Sequence, residues 1–80
     1  MTRSLFTIAQ DVYAAWPKVN YAAKPYLEAM AALDRITDKY YYDDGRTAVL
    51  YFLSNASSFR GEQAKALKAE LKSMLADAGY

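Results

Sequence analysis

The stretch that decides the fold is Ala48-Val49-Leu50-Tyr51-Phe52-Leu53-Ser54-Asn55-Ala56, the most apolar run in the chain. Its apolar side chains would cover nearly the whole circumference of a helix, which is typical of a helix enclosed on most sides. A strand is the alternative, because Val, Leu, Tyr and Phe follow one another without interruption. We favour a helix from about Arg46 to Asn55, because an isolated strand would have nothing to pair with. This helix should form the centre of the core.

Both neighbours of this stretch carry helix boundary signals. Before it, Asp43 or Asp44 can accept from the first free N–H groups of the helix, and their charge suits its positive end. After it, the Ser, Asn and Gly residues of 54–61 predict a connection. A long helix of high propensity then runs from about Gly61 to Ala78, and Gly79 ends it. Its apolar face contains Ala64, Leu67, Leu71, Met74, Leu75 and Ala78.

Two further helices are predicted in the first half of the chain. One runs from about Ser4 to Trp16, with Thr2 or Ser4 as its cap, and Pro17 ends it. The other runs from about Pro25 to Thr37, with proline at its first position. Its predicted buried side contains Tyr26, Met30, Leu33 and either Ile36 or Thr37. The expected fold is therefore all-α, a small four-helix bundle-like single domain over residues 1–80.

The composition excludes several ways of stabilising so small a domain. In 80 residues there is no cysteine and no histidine, which rules out disulfides and the common zinc sites. Tight helix packing or self-association remains. Eight tyrosines favour a binding or homo-oligomer surface, because tyrosine is enriched at interfaces. The alternative is that a small domain exposes aromatic rings for lack of interior.

Charge and hydropathy argue against a membrane and against a strong field for nucleic acid. The formal net charge is +1, with basic and acidic residues interspersed. No apolar run reaches the roughly 18 residues of a transmembrane helix, and the N-terminal residues do not resemble a signal peptide. We therefore expect a cytoplasmic protein without membrane contact.

Enzymatic chemistry has little support in the sequence. Without histidine or cysteine, a His-assisted nucleophile is excluded. The carboxylates of Asp34, Asp38, Asp43 and Asp44 could bind a divalent cation, but their spacing matches no calcium loop. Surface and capping roles explain them better. We predict no enzyme activity, no catalytic residues, no cofactor and no metal.

Two groups of residues are candidates for partner binding. The first is the cluster Tyr40-Tyr41-Tyr42 with Lys39 and Arg46 beside it, whose rings could stack a base or anchor a partner protein. One tyrosine of this cluster could instead simply close the core.

The second group is a basic stripe on the last helix. It consists of Arg60, Lys65, Lys68 and Lys72. These residues could contact phosphates or an acidic protein. The alternative is a solvated flank whose aliphatic stems cover apolar surface.

Three segments of the last 35 residues or so resemble small proteins carried by bacteriophages and other mobile elements. They are Val49 to Ala56, Phe59-Arg60-Gly61-Glu62, and Ala66-Leu67-Lys68-Ala69-Glu70-Leu71. The resemblance implies an inhibitor that binds a host protein, such as a defence factor, in the bacterial cytoplasm. We therefore expect a non-enzymatic protein-interaction module, which could form a homo-oligomer. The alternative is a small protein that sequesters a nucleotide or nucleic acid.

Overall fold

The computed structural model describes residues 3–40 and 43–79, and the side chains of 3–39 and 44–79. These residues form four helices: α1 Leu5–Ala15, α2 Lys24–Ala31, α3 Gly45–Ser54 and α4 Glu62–Asp77. Two short strands, β1 Lys39–Tyr40 and β2 Asp43–Asp44, pair antiparallel directly before α3. The all-α prediction is confirmed. The two-residue hairpin is an addition that no strand pattern in the sequence predicts.

Helix α1 is capped by its own flank and by a distant segment. Ser4 is the N-cap, and its side chain accepts from the backbone of the first turn. The N–H groups of Leu5 and Phe6 donate to the carbonyls of Asp34 and Leu33, each at 2.9 Å. The segment after α2 therefore satisfies donors that a helix leaves free at its start.

Helix α2 is shorter than predicted. The expected range, Pro25–Thr37, was wrong at its C-terminal end, because the helix ends at Ala31. Beyond that point the carbonyls of Leu33 and Asp34 turn toward α1 instead of continuing the helix. Leu33 and Ile36 are buried all the same. Leu33 and Ile36 therefore pack into the core from the turns after α2, although their spacing in the sequence is that of a helix.

Helix α3 lies between α2 and α4 and buries one face. Ala48, Val49 and Phe52 are buried, which confirms that the apolar run 48–56 is part of the core. Leu50 and Tyr51 are 39% and 48% exposed, so the run is not covered on all sides. The prediction of a central helix holds for one face only.

The connection after α3 and the face of α4 complete the core. Phe59, in the connection, is 2% exposed and stacks on Trp16 with ring centroids 5.0 Å apart. Trp16 also meets Phe52 edge-on at 6.2 Å. From α4, five of the six predicted apolar residues are buried, and Ala78 is half-buried. The ring contacts fix the connection 55–61 against the end of α1, which in turn packs on α3.

Among the residues that the structure describes, no helix has both the length and the apolar character needed to cross a membrane.

Candidate binding groove on helix α4

The four cations of the predicted basic stripe lie together around one groove. Lys65, Lys68 and Lys72 follow one another at three- and four-residue spacing, which places them on one face of α4. Arg60 joins them from the connection before the helix. The groove has a volume of about 640 Å³. We call it the α4 groove; its lining residues are Phe59, Arg60, Gly61, Glu62, Lys65, Lys68, Ala69 and Lys72.

The approach to α4 positions Arg60. The Arg60 Nε donates to the carbonyl of Ser57 at 3.2 Å. This bond holds the Arg60 side chain against the connection 55–61. Gly61 then adopts a φ of 111°, a conformation that favours glycine, and α4 begins at Glu62. At the end of α3, Ser54 and Asn55 donate their side chains to backbone carbonyls one turn earlier. These polar residues therefore have turn and capping roles.

The groove has an apolar floor that belongs to the core. The Lys68 Nζ lies 5.7 Å from the centre of the Phe59 ring. Phe59 is held in place from below by its stack on Trp16. Ala69 adds a small exposed side chain between the lysines. The sequence argument missed Phe59 and Ala69, since neither carries a charge or lies on the buried face of α4.

The groove cations lie close enough together to repel one another. Burial, then the charges of Lys72 and Arg60, lower the pKa of Lys68 below its ordinary value. Within the described part of the chain, none of the four cations forms an ion pair with an acidic side chain. Glu62 is the one acidic residue in the groove lining. Lys68 therefore gives up its proton more readily than a fully solvated lysine does.

Arg46 lies away from this groove. Its guanidinium pairs with Asp44 at 3.0 Å and donates to the carbonyl of Ala78 at 3.4 Å. Ala78 follows the C-terminal end of α4, whereas Arg60 precedes its N-terminal end. Sixteen residues separate the two ends, or about 24 Å of helix. Arg46 therefore lies outside the α4 groove.

The tyrosine cluster is only partly described. The backbone of Tyr40 pairs with that of Asp43 in the hairpin, and Lys39 beside it is exposed. Tyr41 and Tyr42, and the side chain of Tyr40, lie outside the described residues. The prediction that this cluster binds a partner stays a prediction.

The four predicted carboxylates have separate surroundings. Asp38 accepts from the N–H of Arg35, and Asp44 caps α3. Asp34 is exposed, and the side chain of Asp43 lies outside the described residues. Among the side chains that are described, no group of three or more acidic residues is arranged to hold a metal ion.

Two further surface features have no counterpart in the sequence argument. Tyr26 and Tyr51 stack with ring centroids 5.3 Å apart, beside the exposed Leu50. Phe52 is fully buried and cannot contact a second copy, so Tyr51 is the aromatic residue that α3 could offer to one. The second feature is a cleft of about 500 Å³, which mixes charges of both signs near Arg3, Arg35 and Asp77. Self-association stays a prediction, which light scattering can test.

Comparisons with protein-family models, with curated proteins and with solved structures found no match to this chain.

The chemistry of the α4 groove defines what it can bind. Four cations around an apolar floor suit a ligand that combines acidic groups with apolar ones. The groove therefore has the chemistry of a recognition surface.

Proposed function

We propose that this chain is a non-enzymatic protein-interaction module that binds an acidic segment of a partner protein in the α4 groove. One observation carries the proposal: four cations gather around one groove, and none of them pairs with a described acidic side chain. Burial, and then the charges of Lys72 and Arg60, lower the pKa of Lys68. A surface serving stability alone would intersperse acidic residues among them. Groups held in an unfavourable electrostatic environment are typical of functional sites.

The floor of the groove favours an acidic protein segment over a nucleic acid. Phe59, Ala69 and the aliphatic stems of the lysines form an apolar centre with charged groups around it. Protein interfaces commonly have this arrangement of apolar core and polar rim. Phosphate recognition relies mainly on the cations. A net charge of only +1 also provides little long-range attraction for nucleic acid.

The resemblance to proteins of bacteriophages and mobile elements supports a host protein as the partner. On that basis the partner is a host factor, such as a defence protein, and the chain inhibits it by covering an acidic surface. The same resemblance places this action in the bacterial cytoplasm. The groove chemistry supports an acidic partner, and the resemblance supports a host one.

The test compares two charge-reversal variants of equal net charge. One variant, Lys65→Glu with Lys72→Glu, changes the groove at exposed positions; the other, Lys18→Glu with Lys24→Glu, changes exposed lysines elsewhere. Each replaces two positive charges by two negative ones, so the net charge goes from +1 to +1 − 4 = −3. Fluorescence anisotropy then measures binding of labelled poly-glutamate and of a single-stranded oligonucleotide.

We expect poly-glutamate binding to be lost in the groove variant and largely kept in the control variant. Affinity capture from a bacterial lysate should follow the same pattern for a specific host protein. Equal losses in the two variants would show a nonspecific charge effect and contradict the proposal. Tighter binding of the oligonucleotide than of poly-glutamate, again dependent on Lys65 and Lys72, would favour the nucleotide or nucleic-acid alternative instead.

A further inference from the structure

The spacing of the lysines along α4 indicates the shape of the acidic segment. At about 1.5 Å per residue, Lys68 lies about 4.5 Å beyond Lys65 along the helix axis, and Lys72 about 6 Å beyond Lys68. The three charges thus occupy heights of about 0, 4.5 and 10.5 Å. Acidic groups that pair with all three must follow nearly the same heights.

A second helix matches these heights more closely than an extended chain does. Alternate residues of a strand lie about 6.7 Å apart, so three side chains on one face span about 13 Å and fall out of step with the lysines. Residues on one face of a helix recur at three- and four-residue spacing, as the lysines themselves do. Acidic side chains on one face of a helix alongside α4 can therefore lie at the same heights as the three lysines.

The side chains between the lysines leave room for such a helix. Ala69 lies one turn after Lys65 and three residues before Lys72, and it is exposed. A small residue at the contact lets two helices approach within about 8–10 Å. An apolar side chain of the incoming helix could then contact Ala69, while the lysine stems flank it.

We infer that the occupant of the α4 groove is an α-helix of the partner protein with carboxylates spaced as the lysines are. The spacing is i, i+4, i+7 if the partner helix runs antiparallel to α4, and i, i+3, i+7 if it runs parallel. An apolar residue on the same face contacts Ala69. This inference rests on the proposed function, which requires only that the segment be acidic.

The experiment uses three peptides of about 20 residues, long enough for an alanine-rich sequence to form helix. The first has three glutamates at i, i+4 and i+7 with a leucine between them on the same face. The second has the same composition with the glutamates at alternate positions. The third is the first peptide with a central alanine replaced by proline, which breaks the helix. Fluorescence anisotropy measures their binding to the full chain and to both charge-reversal variants.

We expect the first peptide to bind about tenfold more tightly than the other two, since three exposed charge pairs together contribute on this order. Circular dichroism should show that its helix content rises on binding. If all three peptides bind equally and the groove variant loses all three, the helical inference is wrong and the proposed function stands. If none binds to the unaltered chain, both are overturned.

Discussion

Gly45 lies so close to the backbone of Ile36 that a Cβ added at Gly45 would be 2.6 Å from the Ile36 carbonyl oxygen. The two residues join the turn after α2 to the first turn of α3. The N–H of Gly45 also donates to the carbonyl of Asp38 at 2.7 Å. This contact between two stretches of backbone sets where α3 begins, and with it the position of the core helix.

Replacing Gly45 by alanine should therefore destabilise the protein. In an ordinary helix, alanine is favoured over glycine by about 0.5–1 kcal/mol. At this position the added methyl overlaps with backbone that cannot move alone, and we expect a loss of about 1–3 kcal/mol in the free energy of unfolding. Urea denaturation followed by circular dichroism measures it. The control is Ala66→Gly on the exposed side of α4, which reports the ordinary helix preference. A Gly45→Ala protein as stable as the original would contradict the contact.

The cap of α3 gives a pH-dependent prediction. The Asp44 carboxylate accepts from the Thr47 N–H at 3.0 Å, and its other oxygen pairs with Arg46 at 3.0 Å. The Thr47 bond, and then Arg46, lower the pKa of Asp44 although partial burial opposes them. We expect Asp44→Ala to cost about 1–2 kcal/mol at neutral pH.

The sign of the pH effect follows from the lowered pKa. The contribution of Asp44 is complete above its unfolded pKa of 3.8 and is lost as the pH falls through the lower folded value. The stability gap between the original protein and Asp44→Ala should narrow between about pH 5 and pH 2. Asp44→Asn should keep most of the cap without the charge. Asp34→Ala, at an exposed position, serves as control. A stability difference between the original protein and Asp44→Ala that stays constant with pH would refute the lowered pKa of Asp44.

Local signals were enough to predict much of this fold. Ser4, Asp44 and Gly79 mark helix ends because capping depends on residues within one turn. The lysine stripe of α4 was predictable for the same reason, since helical periodicity alone places its members on one face. What these features share is that no distant part of the chain is needed to produce them.

The features that could not be predicted depend on distant contacts. Helix α2 ends early because the carbonyls of Leu33 and Asp34 bond to the start of α1, which no local pattern reveals. Phe59 lies outside any helix, and its role as groove floor depends on its stack with Trp16. Arg46 is separated from Arg60 by the length of α4, although the two are close in sequence. Tertiary packing decides each of these.

The contact of Arg3 with Glu70 links the start of the chain to α4. We expect it to contribute modestly to the free energy of unfolding. Two nitrogens of Arg3 donate to the two Glu70 oxygens at 2.9 and 2.6 Å, and Arg3 also pairs with Asp11. The bonds from Arg3 lower the pKa of Glu70, although burial and the charge of Asp11 oppose them. Because the Arg3 and Glu70 side chains are 39% and 32% exposed, solvent screens the pair. Arg3→Ala should cost only about 0.5–1 kcal/mol.

A double-mutant cycle with Glu70→Ala isolates this coupling from other effects of each substitution. The coupling should shrink as sodium chloride is raised, because salt screens exposed charges. Arg3→Lys should recover only part of it, since lysine cannot form the paired bonds of a guanidinium. A coupling that does not respond to salt would mean that packing, not charge, joins the two residues.

Lys68→Met should raise stability and weaken binding at the same time. Methionine keeps an aliphatic side chain over Phe59 and removes the charge that burial, Lys72 and Arg60 disfavour. The attraction of the Phe59 ring for the ammonium is weak at 5.7 Å, near the outer limit of such contacts. We therefore expect a higher Tm for Lys68→Met, and weaker binding of poly-glutamate and of the first helical peptide. Lys18→Met, at an exposed position, should change neither.

The pH dependence distinguishes charge from packing in this last comparison. Because the folded pKa of Lys68 lies below the ordinary lysine value of 10.5, the native state loses the proton before the unfolded state does. As the pH rises from the folded to the unfolded pKa of Lys68, the unfolded state binds more protons than the native state does. The stability of the original protein therefore increases relative to that of Lys68→Met. The Tm advantage of the variant should therefore shrink at alkaline pH. A variant that is less stable at every pH would show that the Lys68 charge stabilises the fold. The groove cations would then need no binding function to explain them.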